Sequence, residues 1–382
     1  MKFELRFPTE IIFGKDSIKK IGLKAHEYGD KAFIVTGKSA MRKSGAVNNI
    51  MEILNSAGFD KICLYDQAEH DPSVETVDYG VKLAKEGDYN VIIGIGGGSA
   101  MDVAKTIASL INNEGSAGDY QSGKEITNPG VPFIAVPTTA GTGAEITNNS
   151  VITNRDKKIK QSIRSPLMIA KVAIVDPMLT VTMPPNVTAA SGMDALTQAI
   201  ETYVSLASNP FSDTLALRSI SLISKNLVKA FEKGDDLDAR ENVALGSLFG
   251  AMAFANSALG AVHGLAHPIG ALFGVPHGVI CGLLLPYVME YNLSVKANRF
   301  AGIAEVMGQS VSGESDEVNA SKAVNAVRNL LVKLQLPQKL SELGISKDDL
   351  FLIARSAKGS SLNNNPRPTT PESLQEILFS AL

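Results

Sequence analysis

Residues 90–105 read Asn-Val-Ile-Ile-Gly-Ile-Gly-Gly-Gly-Ser-Ala-Met-Asp-Val-Ala-Lys, an apolar run that leads through three consecutive glycines into a segment with helical periodicity. The apolar run predicts a strand covered on both faces, as in the centre of a parallel sheet. Gly96, Gly97, Gly98 and Ser99 then lie between the end of a strand and the start of a helix, where amide groups and the helix dipole bind a pyrophosphate. A tight turn that requires positive φ is the other interpretation of these glycines.

The same alternation of apolar runs and amphipathic segments extends in both directions from this stretch. Short strands are predicted at residues 31–36, 61–65, 132–136 and 172–175, with helices over residues 47–54 and 74–85. Strand, helix and strand at this spacing predict a parallel, doubly wound α/β sheet. After residue 182 the β-branched runs give way to helical patterns rich in Ala and Leu. We therefore predict an α/β dinucleotide-binding domain at residues 1–182 and an all-helical domain at residues 183–382.

Composition limits the class of protein. The chain has 382 residues, 45% hydrophobic and 20% charged, which is typical of a compact globular protein. A net charge of −3 provides no basic surface, so we expect neither nucleic acid nor a membrane as a partner. No apolar segment resembles a signal peptide or a spanning helix. Cys63 and Cys281 are far apart and in no metal-binding spacing, which favours a reducing cytoplasm and predicts no thiolate metal site.

Residues 242–289 contain no Asp, Glu, Lys or Arg, yet prolines, glycines and three histidines interrupt them. This predicts a buried pair of helices at the centre of the helical domain. His263, His267 and His277 lie within 15 residues there, and each buried imidazole needs a partner, which a divalent metal supplies. Satisfied core histidines are the alternative.

An anionic ligand is also expected, and the segment 189–201 contains the candidates. Asp194 and Gln198 share a helix face at i and i+4, and Glu201 lies on the same side, where it would support a ligand from behind. The alternative is that Asp194 is a carboxylate near a helix N-terminus, where it stabilises the helix through its dipole.

The usual Gly-x-Gly-x-x-Gly fingerprint after the first strand, followed by an acid about 20 residues later, is missing. The acid that would bind the ribose 2′-hydroxyl is expected at the end of an early strand, where this chain has Gly37, Lys38 and Ser39. Gly37 leaves room for a 2′-phosphate, which Lys38 and Ser39 are suited to bind. A second cluster, Pro-Thr-Thr-Ala-Gly-Thr-Gly at residues 137–143, suits phosphate and ribose contacts.

In combination, these residues resemble the iron-containing (group III) alcohol dehydrogenase family. The resemblance spans nearly the whole chain, from residues 7–14 to residues 365–367. Its motifs are residues 96–105, residues 137–142, Gly-Met-Asp-Ala at 192–195, His-Gly-Leu-Ala-His at 263–267 and Pro-His-Gly at 276–278. The resemblance implies the dehydroquinate synthase-like fold, with an α/β dinucleotide-binding domain and a helical metal-binding domain. It implies a metal-dependent enzyme that transfers a hydride between NAD(P)(H) and a short-chain alcohol or aldehyde.

Carried over to this sequence, the family's metal ligands correspond to Asp194, His263 and His277, with His267 near the nicotinamide and the substrate as the catalytic group. The fourth ligand of the family is a His four residues after the Asp, where this chain has Gln198. A weaker amide ligand leaves Fe²⁺ or Zn²⁺ as the expected ion. The implied cofactor contacts are Gly97, Gly98, Ser99, Asp102, Thr138, Thr139, Thr142 and Lys160. The implied substrate pocket contains Asn149, Val151, Phe254, His267 and Ser361.

Members of the family that prefer NAD commonly carry Asp where this chain has Gly37, so we expect NADP as the cofactor, with NAD as the second choice. A homodimer or higher homo-oligomer is also expected, from the resemblance and because the alternating segment from Lys2 to Phe7 is suited to pair as an edge strand across a two-fold axis. Two alternatives remain: a metal- and NAD-dependent lyase of the dehydroquinate synthase type, and a non-catalytic nucleotide-binding homologue with an altered metal site.

Overall fold

The computed structural model describes residues 3–157 and 159–382. They form two compact units. One comprises Arg6–Thr139 and Gly143–Thr182, and the other comprises Met183–Leu382, Ala140–Thr142 and the described residues up to Leu5. We call them the nucleotide unit and the helical unit.

The nucleotide unit is built on a parallel six-stranded sheet. The strand order is β1-β8-β5-β4-β2-β3, and every neighbouring pair runs parallel. Two further strands, β6 and β7, form a separate antiparallel hairpin. The strands are β1 Glu10–Phe13, β2 Lys31–Gly37, β3 Lys61–Ala68, β4 Val91–Gly96, β5 Phe133–Pro137, β6 Asn149–Asn154, β7 Ile159–Arg164 and β8 Val172–Val175.

Helices connect these strands and cover the sheet. They are α1 Ile21–His26, α2 Ala40–Lys43, α3 Ala46–Ser56, α4 Val74–Gly87, α5 Gly98–Leu110 and α6 Ala117–Gln121, with short 3₁₀ turns at Ser17–Lys20, Pro166–Met168 and Pro177–Thr180. Helix α4 shows why the boundaries lie where they do. The Ser73 hydroxyl accepts a hydrogen bond from the Thr76 amide at its start, and Asp88 adopts φ 52° at its end.

All six residues of β4 are buried, as expected for a central strand covered on both faces. On one face, Ile93 and Ile95 pack with the apolar residues of α1 and α3, including Ile21, Ile50 and Leu54. The hydrogen-bonded ladder and this core fix the carboxyl ends of the strands, from which the glycine loop emerges. The predicted parallel α/β sheet is thus confirmed.

Two features of the strands were not predicted. The edge strand of the six-stranded sheet is β1, which pairs with β8 of the same chain. The described residues of the Lys2–Phe7 segment, Phe3–Phe7, form no strand within the single chain, and Lys2 lies outside the described residues, so the expected pairing of this segment with a second copy stays a prediction. The β6–β7 hairpin was not predicted, because its alternation is spread over polar residues such as Asn149, Thr153 and Gln161.

The helical unit contains nine α-helices among its described residues, with 3₁₀ turns at Leu340–Leu343 and Lys347–Asp349. The helices are α7 Pro185–Val204, α8 Pro210–Glu232, α9 Leu237–Ala255, α10 Ala261–Phe273, α11 His277–Val306, α12 Asp316–Lys333, α13 Leu350–Ser356, α14 Ser360–Asn363 and α15 Pro371–Ser380. The predicted helical C-terminal part is confirmed.

The uncharged stretch at residues 242–289 was predicted to form a pair of helices, and this is wrong in detail. It spans most of α9, all of α10 and the first half of α11, because Gly260 and Gly274 end or begin helices within it. In the described part of the chain, α11 alone is long and apolar enough to span a membrane by length and composition. Of its apolar window, 56% is buried inside the protein, which a core helix also shows.

Candidate metal centre and nucleotide-binding loop

Asp194 lies near the middle of α7, with a relative exposure of 2%. The alternative that it is a carboxylate near a helix N-terminus is therefore wrong. Gln198 and Glu201 follow on the same helix, each 3% exposed. A buried carboxylate in the middle of a helix costs free energy unless cationic or hydrogen-bonding groups surround it, so its neighbours decide what it does.

Glu201 holds His263 in a fixed orientation. One of its carboxylate oxygens accepts a hydrogen bond from the Val262 amide at 2.6 Å, and the other lies 2.6 Å from Nδ1 of His263. The Nε2 atom of His263 then faces Asp194, at 3.4 Å from Oδ1. This carboxylate–imidazole pair is the usual arrangement behind a histidine that binds metal through Nε2. It agrees with the supporting role predicted for Glu201.

His277 reaches the same place because two helices approach at backbone contact distance. It is the first residue of α11, and its Nε2 lies 3.8 Å from Oδ1 of Asp194. The next residue is Gly278, where a Cβ atom would lie only 2.2 Å from the carbonyl oxygen of Ala190 on α7. No larger residue fits there without moving one helix.

Cys281 also lies in this cluster, although its spacing in the sequence indicated no thiolate metal site. It lies one turn after His277 on α11, buried, with Sγ 3.5 Å from His277 Nε2. The ligand-type atoms of Asp194, His263, His277 and Cys281 all lie within 4.8 Å of one another. The i and i+4 relation to His277 was the available sequence signal.

Three buried polar atoms in this region have no hydrogen-bond partner: Asp194 Oδ1, Gln198 Oε1 and His263 Nε2. Leaving such an atom unpaired in a protein interior costs about 1–3 kcal/mol. A divalent cation would satisfy them together, and oxygen and imidazole donors are suited to iron and zinc. The residues present therefore fit a metal ion. We call Asp194, His263, His277 and Cys281 the candidate metal cluster.

Electrostatics within the cluster follow from its burial. Burial lowers the pKa of His263, but the carboxylates of Glu201 and Asp194 outweigh it and raise that pKa to about 10. Burial raises the pKa of Asp194, while the adjacent His263 side chain and the positive charges of both histidines lower it further than burial raises it. Burial, with the negative charge of Asp194, raises the pKa of Cys281.

His267 differs from the other two histidines. It lies one turn after His263 on α10 but is exposed, and its ring stacks on His277 with centroids 5.5 Å apart. His277 is half-buried. Of the three histidines, His263 alone is buried, so the expectation of three buried imidazoles is wrong.

The glycine loop has the geometry of an anion site. Gly96 has φ +148°, a conformation that side chains rarely adopt, and a Cβ on Gly97 would lie 3.2 Å from Cγ2 of Thr139. The first amides of a helix have no partner within the helix, and no side chain caps the start of α5 at Gly98. The Thr138 amide donates to the Gly96 carbonyl at 2.9 Å and holds the two predicted phosphate loops side by side.

Behind the loop, α5 carries a buried lysine that was not singled out from the sequence. Lys105 donates to the carbonyl oxygens of Thr147 and Asn149 at 2.7 and 2.9 Å. Burial lowers the pKa of Lys105 and raises that of Asp102, three residues earlier on α5, and the attraction between the two charges opposes both shifts. Val151, through its backbone, hydrogen-bonds Asp102. These contacts join α5 to the β6–β7 hairpin.

At the end of β2, Gly37 is half-buried and Lys38 and Ser39 are exposed. Lys38 lines a cavity of about 360 Å³ together with Arg155, Glu69 and Glu75. The side chains that line this cavity therefore carry both positive and negative charges.

The remaining predicted residues lie on separate elements. Lys160, on β7, forms an ion pair with Asp71 at 2.5 Å. Asn149 and Val151 are on β6 of the nucleotide unit. Phe254 on α9 and Ser361 on α14 belong to the helical unit, as do His267 and Thr142.

A parallel sheet with a glycine loop and a helical unit with a candidate metal cluster are the features of a metal-dependent, dinucleotide-binding oxidoreductase. Residues 8–177 match the family described as iron-containing alcohol dehydrogenase, and residues 188–382 match the C-terminal part of the Fe-containing alcohol dehydrogenase family. The chain belongs to this family.

Named relatives agree. The 1,3-propanediol dehydrogenase of Klebsiella pneumoniae is 38% identical over 99% of this chain and 98% of the relative. The NAD-dependent methanol dehydrogenase of Bacillus methanolicus is 34% identical over 98% of each. A crystal structure of a 1,3-propanediol oxidoreductase has a TM-score of 0.96 at 38% identity and covers 100% of both chains. The predicted resemblance is confirmed, and the chain is an alcohol dehydrogenase or aldehyde reductase.

Proposed function

We propose that this enzyme interconverts short-chain alcohols and aldehydes with NADP(H) and a divalent metal ion. The observation that carries the proposal is the set of buried, unpartnered atoms of Asp194, Gln198 and His263. Asp194, His263 and His277 would hold the ion, with Gln198 in weak or water-mediated contact. Fe²⁺ and Zn²⁺ are the candidates. When bound, such an ion supplies Lewis acidity toward the oxygen of the alcohol or carbonyl group.

The protein's own residues supply orientation and proton transfer. Glu201 fixes the ring of His263 so that Nδ1 is occupied and Nε2 remains for ligation. His267 is exposed and stacked on His277, so a proton that it accepts passes directly to solvent. We propose His267 as the catalytic group that carries the alcohol proton away.

His263→Ala tests the metal site. Losing one ligand should remove metal and turnover together, as measured by elemental analysis and an alcohol oxidation assay after reconstitution with iron or zinc. Asp194→Asn, which preserves volume, provides a second test, and circular dichroism monitors the fold of both variants. Stoichiometric metal with near-normal turnover in either variant would remove that residue from the site.

The cofactor preference is proposed from the end of β2. A carboxylate at position 37 would bind the ribose hydroxyls of NAD and repel a 2′-phosphate, whereas Gly37 does neither, and Lys38 and Ser39 offer a cation and a donor. One charge-assisted contact of about 1.5–3 kcal/mol corresponds to roughly 10- to 150-fold in affinity. We propose that Gly97, Gly98, Ser99, Asp102, Thr138, Thr139, Thr142 and Lys160 contact the rest of the cofactor.

Gly37→Asp tests this preference. A Cβ at this position would make ordinary contact with the Ala68 carbonyl oxygen at 3.4 Å, so neither variant is excluded by its Cβ. We expect kcat/KM with NADPH to fall far more than with NADH, while Gly37→Ala, which adds the Cβ without the charge, leaves the ratio nearly unchanged. A wild-type enzyme that is equally efficient with NADH would refute phosphate recognition, and the NAD dependence in the name of the Bacillus methanolicus relative makes this comparison necessary.

The substrate is proposed to be a short alcohol or aldehyde that contacts Asn149, Val151, Phe254, His267 and Ser361. These side chains combine apolar surface with a few polar groups, which suits a small molecule with one oxygen. Turnover with a series of C2 to C4 aldehydes, followed by longer ones, tests the chain-length limit. We also propose a cytoplasmic location, with which two free cysteines are compatible.

A further inference from the structure

We propose that Cys281 binds the metal ion through its sulfur and occupies the coordination position that Gln198 fills poorly. The inference deepens the proposed function, on which it rests for the presence of the ion. It gives the site an Asp–His–His–Cys donor set, with Gln198 outside the direct shell or bound through water.

Distances support a tetrahedral site. Zinc–nitrogen and zinc–sulfur bonds of about 2.05 and 2.3 Å in tetrahedral geometry place neighbouring donor atoms roughly 3.3–3.6 Å apart. Cys281 Sγ lies 3.5 Å from His277 Nε2, and His263 Nε2 lies 3.4 Å from Asp194 Oδ1. The separation of 3.8 Å between His277 Nε2 and Asp194 Oδ1 is slightly longer. The remaining donor atoms of the cluster all lie within 4.8 Å of one another.

The cysteine does not stand alone as evidence. Asp194 Oδ1 and His263 Nε2 are buried without partners in the same cluster, on residues that are 2% and 3% exposed. These two atoms already point to a cation, and Cys281 Sγ lies within 4.8 Å of a ligand-type atom of each of the two residues. A structural thiol that donates a hydrogen bond to Asp194 is the competing role, and it predicts no bond between sulfur and metal.

Formation of the sulfur–metal bond requires only the loss of the thiol proton. The thiol loses its proton to solvent as the sulfur–metal bond forms, and no oxidant or reductant is required. A thiolate adds a second negative donor to Asp194 and is a soft ligand, so it favours zinc and cobalt over hard ions. The neutral amide of Gln198 provides neither property.

X-ray absorption spectroscopy on the zinc-reconstituted full-length protein tests the inference. We expect about one sulfur neighbour at about 2.3 Å per zinc in the wild-type protein. Cobalt-substituted protein should show a sulfur-to-cobalt charge-transfer band in the near ultraviolet. Both signals should persist in Cys63→Ser, which removes the other cysteine, on β3. Both should vanish in Cys281→Ser, whose zinc affinity should fall at least about 10-fold.

A wild-type shell of nitrogen and oxygen alone would overturn the inference, whether or not any variant folds. Parallel turnover assays separate the two proposals. Turnover without a sulfur neighbour leaves the dehydrogenase function standing and removes Cys281 from the site. A sulfur neighbour in a protein that fails to oxidise or reduce any substrate keeps the ligand assignment and removes the function.

Discussion

Replacing Glu201 by Gln should weaken metal binding although the residue is not itself a proposed ligand. The carboxylate has two short contacts, to the Val262 amide and to His263 Nδ1. A Gln that keeps its oxygen on Val262 must direct its NH₂ group at Nδ1. The imidazole proton then moves to Nε2, which can no longer bind a metal. If the amide flips instead, the Val262 amide loses its acceptor.

Loss of such a supporting carboxylate typically lowers metal affinity 10- to 100-fold, which is about 1.4–2.8 kcal/mol. Competition against a zinc chelator at neutral pH measures this change directly. Glu86→Gln, an exposed substitution on α4, controls for the loss of one negative charge, and circular dichroism controls for folding. An affinity within about threefold of wild type would refute the view that Glu201 sets the tautomer of His263.

The remaining predictions concern Gln198, an ion pair and assembly. Gln198→His should retain metal longer against a chelator, because it adds an imidazole one turn from Asp194; an unchanged rate would place Gln198 outside the site. His70 and then Lys160 hold the pKa of Asp71 well below its usual value, so its stabilising effect is fully present above about pH 4 and is lost only as the pH falls from there through the lowered pKa of the folded state. Asp71→Asn, which suits φ 53°, should therefore lower Tm at pH 7, and the difference from wild type should begin to shrink only below about pH 4; a difference that shrinks already between pH 7 and pH 5 would contradict this. Light scattering should give at least a dimer mass, and a monomer at micromolar concentration would remove that proposal.

Much of the fold was predictable because its strongest signals are local. The apolar run of β4 and the glycines after it identify a central strand and a helix N-terminus within one short segment. Strand β1 and the β6–β7 hairpin were missed for a physical reason. An edge strand of four residues and a polar hairpin lack the long apolar runs that burial on both faces imposes.

The candidate site was partly predictable. Asp194, Gln198 and Glu201 share a helix face by spacing alone, and so do His263 and His267. Which residues of α11 lie beside these side chains depends on tertiary packing, and sequence spacing does not reveal it. For this reason Cys281 was dismissed on its distance from Cys63 in the sequence, whereas its relevant neighbour was His277, four residues earlier.

Because Gly278 contacts Ala190 through the main chain, the positions of helices α7 and α11 do not depend on which ligand side chains these helices carry. Main chain meets main chain there, so the spacing of α7 and α11 does not depend on the side chains at positions 194, 198, 277 and 281. Donor atoms can therefore be exchanged during evolution, or by design, on a scaffold that keeps its dimensions. A chain with an amide at position 198 and a thiol at position 281 is one result that such freedom permits.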